Sequence, residues 1–152
     1  MSDDQERVWD LMERFPLCTL VTWHGDKLCS RPMKAFVRRR NEAIYLLADA
    51  RVFEDSAIRA HPEVSLTFAD PANGQIACLS GKAQVSSDRV AIRELWSTSA
   101  RDFWESSDEP NIRMLRIAPQ QAHFRDGDTQ KVVQMCSPSA IRVQKNGDRA
   151  AL

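Results

Sequence analysis

Residues 43–69 decide the fold: Ala43-Ile44-Tyr45-Leu46-Leu47-Ala48, then Asp49 and a helix-spaced stretch from Arg51 to Ala60, then His61-Pro62, then Glu63-Val64-Ser65-Leu66-Thr67-Phe68-Ala69. The first run is short and rich in residues that favour a pleated surface, and it reads as a strand. Asp49 can accept hydrogen bonds from backbone N–H groups at a helix start. That predicts a short helix over 51–60 with Val52, Phe53, Ala57 and Ile58 on its buried side. His61-Pro62 ends it, because the residue before a proline is pushed out of the α region. The last run alternates apolar and polar positions, the pattern of a strand with one wet face.

Working outward, the chain adds more strands than helices. Ser2 and Gln5 have the spacing of a capping box, with acidic residues in the first turn. Val8, Trp9, Leu11, Met12 and Phe15 then share one face of a helix that Pro16 stops. Leu17–Trp23 reads as a strand that ends at His24-Gly25-Asp26, and Lys27–Val37 resumes extended. Arg38-Arg39-Arg40-Asn41-Glu42 reads as a solvated hairpin turn. Downstream, Asp70-Pro71-Ala72-Asn73-Gly74 is a turn cluster. Gln75–Ser86 is a fifth strand, with Gly81 marking a bulge or a close approach.

Ser87-Asp88 opens a second main helix to about Ser99, with Val90, Ala91, Leu95 and Trp96 facing inward. Ile112–Ile117 is a sixth strand, which Ala122-His123-Phe124 extends past Pro119. From Gly127 the pattern fades. The expected organisation is a barrel domain over 1–126 and a partly flexible C-terminal extension over 127–152. Six mostly antiparallel strands with helices between them make the fold mainly β, a small barrel with short flanking helices.

Composition narrows the function. The chain has 152 residues with 21 basic and 21 acidic side chains, so its formal charge is zero. That balance lacks the footprint of a nucleic-acid binder. No apolar run approaches the roughly 20 residues of a membrane span. The acidic start, Ser2-Asp3-Asp4-Gln5-Glu6, is unlike a secretory signal. The expectation is a soluble cytoplasmic protein with neither a membrane nor a nucleic-acid partner. Cys18, Cys29, Cys78 and Cys136 have no paired spacing and read as small buried hydrophobes. No metal site is expected. His24, His61 and His123 are scattered, no nucleophilic triad is apparent, and five glycines leave no place for a dinucleotide loop.

Several motifs, in order, resemble the FMN-binding split-barrel superfamily. They are Ser30-Arg31-Pro32-Met33, the strand–helix–proline unit above, and Leu79-Ser80-Gly81-Lys82-Ala83 followed by Asp88-Arg89 and Leu95-Trp96. The general stress protein branch of the pyridoxamine 5'-phosphate oxidase-like families is similar, and Phe103-Trp104, Glu109-Pro110 and Met114-Leu115-Arg116-Ile117 resemble its C-terminal block. The resemblance implies a six-stranded antiparallel split barrel that forms a homodimer with FMN in two interface clefts. It implies that Arg31 meets the flavin phosphate, that Met33 and Lys34 continue the same strand, and that Leu47 and Ala48 lie where the third strand nears the cofactor. Arg51 and position 54 would stand at the start of the short helix. Trp104 or Phe103 would be the aromatic offered to the partner. Such a protein would be a flavin-dependent oxidoreductase, with no acid–base residue that can be nominated.

The departures matter too. Eight residues before Pro62 the family has a phosphate-pairing lysine, and this sequence has Glu54. Hydroxyl residues are usual where Ala48 and Val52 stand. Two unit charges about 4 Å apart interact by roughly 4 kcal/mol at an effective dielectric near 20, so exchanging attraction for repulsion is costly even after screening. The alternative reading is a split barrel with a degraded FMN-phosphate site, acting as a non-flavin binding or scaffold protein. A third is haem held through His123.

Overall fold

Gly25, at φ +67°, makes the tight turn that folds Leu17–His24 (β1) back on Lys27–Lys34 (β2), opposing Leu20 to Arg31 and Trp23 to Leu28. A positive φ of this kind suits a residue without a Cβ. The structure, a computed structural model, describes residues 1–53, 55–96 and 106–136. The other strands are Phe36–Arg38 (β3), Ala43–Asp49 (β4), Glu63–Asp70 (β5), Gln75–Ser86 (β6), Ile112–Asp126 (β7) and Thr129–Gln134 (β8). All pair antiparallel in one sheet, in the order β2-β1-β5-β6-β7-β4-β3, with β8 also on β7. Among the described residues three α-helices flank it: Asp3–Arg14 (α1), Asp55–Ala60 (α2) and Arg89–Leu95 (α3). This is the expected antiparallel split barrel, with eight strands among the described residues where six were expected.

Both extra strands have a local cause. The extended run Lys27–Val37 is broken at Ala35, which is buried and donates its N–H to the Pro16 carbonyl at 2.7 Å. The sheet also runs past Asp126. β8 folds back on β7, placing Val133 beside Ala122 in the core and Val132 outside. Residues 137–152 of the expected extension lie outside the described residues.

Long β7 gives the barrel its split. Ser80 opposes Gln121 but Gly81 opposes Pro119, so Gln120 is the extra residue of a β-bulge. Before the bulge the far edge of β7 pairs with β4, from Ile117–Ile44 to Ile112–Asp49. After it that edge pairs with β8, and the Gln120 carbonyl accepts from Met135 N–H at 2.9 Å. Proline, with no N–H to offer, sits where one edge changes partner.

The helices depart from expectation in detail. Asp49 closes a tight turn first, its carbonyl accepting from Val52 and Phe53, and the described helix α2 covers Asp55–Ala60. Val52 therefore points to solvent, 67% exposed, while Phe53 and Ile58 are buried. On α3 Val90 is outside, and Ile92 and Leu95 fill the interior. Residues 97–105, including the expected end of this helix, lie outside the described residues. Cys18 is buried, but Cys78 is exposed on the outer sheet face, against the reading of it as a buried hydrophobe.

Helix α1 closes the core. Val8, Trp9, Leu11 and Met12 are fully buried, and the Ser2–Gln5 capping box forms. The arginine-rich link after β3 is not merely solvated, since Arg39 grips Asp10 at 2.5 Å and Glu13 at 3.2 Å on α1. Arg14 reaches the buried Asp70 carboxylate at 3.2 Å. Asn73 donates its side-chain N–H to the same carboxylate at 2.7 Å and its backbone N–H at 3.4 Å.

The Asn73 side-chain bond, followed by its backbone bond and Arg14, holds the Asp70 carboxyl below its ordinary value. A carboxyl whose folded-state value is depressed adds stability above its unfolded value, near pH 4, and loses it as pH falls through the folded value. Asp70→Asn should therefore lower the melting temperature at pH 7, and the gap to the parent should narrow below about pH 4. Thermal melts between pH 2.5 and 7 test this, and a gap constant across that range would refute it.

Candidate functional site

Side-chain alternation on β2 turns Arg31 and Met33 toward the barrel and Pro32 and Lys34 away from it. Arg31 reaches across to the turn after β4. Its guanidinium lies 4.9 Å over the Phe53 ring, and one N–H donates to the Val52 carbonyl at 3.4 Å. Phe53 is buried, so the arginine stacks on an anchored ring. Ala48 lies in the same core cluster as Phe53, and Met33 packs against that cluster.

Other expected residues stand elsewhere. Leu47 faces the opposite side of β4 from Ala48 and is sealed under α3 with Ile92, Leu95, Ile112 and Met114. Lys34 places its ammonium 5.9 Å from the Phe36 ring, on the face of β2 away from Arg31. Arg51 folds onto Asp49, with N–H contacts of 3.0 and 2.6 Å to the two carboxylate oxygens. The bond to Asp49 and that carboxylate's charge raise the Arg51 guanidinium above its ordinary value. Glu54, Phe103 and Trp104 lie outside the described residues.

The sequence reading missed two participants. Arg113, opposite Ala48 in the β4–β7 register, donates Nε to Asp55 at 2.9 Å and Nη1 to the Pro110 carbonyl at 2.7 Å. Nothing local signals that pairing, because it forms only once β7 lies beside β4. Arg89 is the other. It donates to the carbonyls of Glu109, Pro110 and Ile112 at 2.6, 3.3 and 2.8 Å, tying α3 to the start of β7.

A second feature lies on the outer face of the sheet. Pro32, Thr19, Thr67, Cys78, His123 and Val132 follow one another in register across six strands. The next row holds Ser30, Val21, Ser65, Ser80, Gln121 and Gln134. Neither row carries an acidic side chain. A concavity of about 440 Å³ opens on this face around Ile76, Cys78, His123 and Val132. His123 shares a 3.1 Å hydrogen bond with Gln121. Burial pushes the thiol of Cys18, on the inner face, up to about 12, which leaves it chemically quiet. Among the described residues no group of three His, Cys, Asp or Glu side chains could hold a metal ion. None of the described helices is long and apolar enough to cross a membrane.

A sequence profile for "Pyridoxamine 5'-phosphate oxidase like" proteins matches residues 3–147, nearly the whole chain. The chain belongs to that family. No curated protein sequence matches it. Solved structures similar to this pyridoxamine 5'-phosphate oxidase-like protein include General Stress Protein 26 from Bacillus anthracis, at TM-score 0.75 and 17% identity over 88% of this chain and 99% of that one. A protein related to general stress protein 26 from Clostridium acetobutylicum superposes at TM-score 0.78 and 12% identity, covering 89% and 97%. The general stress FMN/FAD binding protein of Xanthomonas citri gives 0.71 and 17%, covering 88% and 95%. At such identities the likeness is one of fold, and it agrees with the split barrel.

Proposed function

We propose that this pyridoxamine 5'-phosphate oxidase-like protein binds FMN in clefts of a cytoplasmic homodimer, with Arg31 as the phosphate contact. The observation that carries this reading is the posture of Arg31. It is stacked on Phe53 and bonded to one carbonyl at 3.4 Å, which leaves guanidinium N–H groups to meet an anion beside the β4–α2 turn. Met33 and the backbone of β2 would border the ring system, and Ala48 would back the turn. Leu47, sealed under α3, would contribute through its backbone. The named FMN/FAD-binding neighbour supports the cofactor class.

A bound flavin would supply hydride or electron transfer, with the protein orienting it. The homodimer rests on the outer sheet face, whose rows of Ser, Thr, Val and Gln suit burial against a second copy. Phe103 or Trp104 would be the aromatic that each subunit lends its partner.

One observation favours the competing reading of a split barrel kept as a non-flavin binding or scaffold protein. Arg51 and Arg113, the other guanidiniums near this turn, are already paired with Asp49 and Asp55. An absorbance spectrum decides, taken on purified protein before and after incubation with excess FMN and desalting. Retained flavin bands with a dimeric mass in light scattering are expected. A colourless protein after both treatments would leave the scaffold reading in force, and a Soret band would bring His123 forward.

A further inference from the structure

We infer, on the footing of the flavin-binding reading, that this site recognises the flavin nucleus and draws almost nothing from a terminal phosphate, so that riboflavin binds about as well as FMN. Charge around the turn is already neutralised from within. Arg51 closes on both oxygens of Asp49 and also donates its backbone N–H to that carboxylate at 2.9 Å. Arg113 is held by Asp55 at 2.9 Å. Glu109 lies within electrostatic reach of Arg51, and Glu54 stands in the chain between Phe53 and Asp55. Three carboxylates, on Asp49, Asp55 and Glu109, thus stand against three guanidiniums, on Arg31, Arg51 and Arg113.

The backbone donors are engaged as well. Ala50 N–H donates to the Asn111 carbonyl at 2.8 Å, and Val52 and Phe53 donate to the Asp49 carbonyl at 3.0 and 2.7 Å. A phosphate brings roughly two negative charges to a corner that has no net positive charge. Its attraction to Arg31 is offset by repulsion from the carboxylates, and it must also shed water to enter. Binding then rests on the ring and ribityl chain, which both flavins share.

The test is a pair of fluorescence-quenching titrations at low ionic strength, one with FMN and one with riboflavin. A Kd for riboflavin no more than about tenfold above that for FMN is expected. A larger preference for FMN would overturn the inference while leaving the flavin reading intact. Failure of both flavins to bind would overturn the flavin reading itself. Asp49→Asn is a second arm, because it releases Arg51. The FMN-over-riboflavin preference should then rise by about tenfold with riboflavin binding unchanged. An unchanged preference in that variant would also overturn the inference.

Discussion

Glu54→Lys is expected to tighten FMN binding by about ten- to a thousandfold, and to leave riboflavin binding nearly where it was. The substitution removes one negative charge at the position that precedes Asp55 in the sequence and adds a positive one, so an incoming phosphate would exchange repulsion for attraction. The range is wide because the worth of the exchange depends on how much water lies between the groups. Isothermal titration with both flavins checks it. Equal gains for the two would point to a changed fold or ring pocket. No gain for FMN would mean that position 54 does not face the phosphate. High salt supplies an internal control, since the FMN gain should shrink as screening grows.

Gly81→Ala is expected to be the most damaging small change to the fold. A Cβ at this position would overlap the Ala118 carbonyl oxygen and sit 3.1 Å from both the Ala118 carbonyl carbon and the Pro119 Cα, all of them backbone atoms. Backbone at a bulge cannot swing aside as a side-chain tip can, so the strands must separate. Overpacking of this kind costs about 1–3 kcal/mol, a fall of roughly 2–12 °C in melting temperature for a chain of this size. Gly25→Ala is the contrast: its backbone is left-handed, but nothing lies within 4 Å of the added methyl. That change should cost about 1 kcal/mol. Equal melting shifts for the two variants would show that the β6–β7 bulge gives way easily.

The strands were legible wherever one face is wet and the other dry, because alternation then carries the signal. Glu63–Asp70 shows it most cleanly, with Val64, Leu66 and Phe68 inside. β8 was illegible for the opposite reason, since Val133 is its one buried residue and the strand exists because β7 offers it an edge. The inward side of α3 was misassigned at Val90. Helical spacing allows more than one apolar stripe, and only the partner β7 chooses among them.

At the site the same division holds. Arg31 could be nominated from the motif around it, but its seat on Phe53 joins residues that only the closed barrel brings together. The capture of Arg51 by Asp49 was in principle visible from a two-residue spacing. The capture of Arg113 by Asp55 was not, because their separation of 58 residues leaves no local trace.

The clasp between the two ends of the described chain bears on how the protein is made. Gln5 donates to the Gln134 carbonyl at 2.5 Å, and Lys131 meets Asp4 at 3.4 Å, so α1 and β8 complete each other. On a ribosome α1 emerges well before β8. At about 5–20 residues per second the helix waits roughly 6–25 s before β8 exists. Throughout that interval Trp9, Leu11 and Met12 belong to a sticky amphipathic helix with an unfinished seat. Slow translation or a crowded polysome should therefore harm the yield of this protein more than its equilibrium stability suggests, and a holdase that covers the nascent helix should restore it.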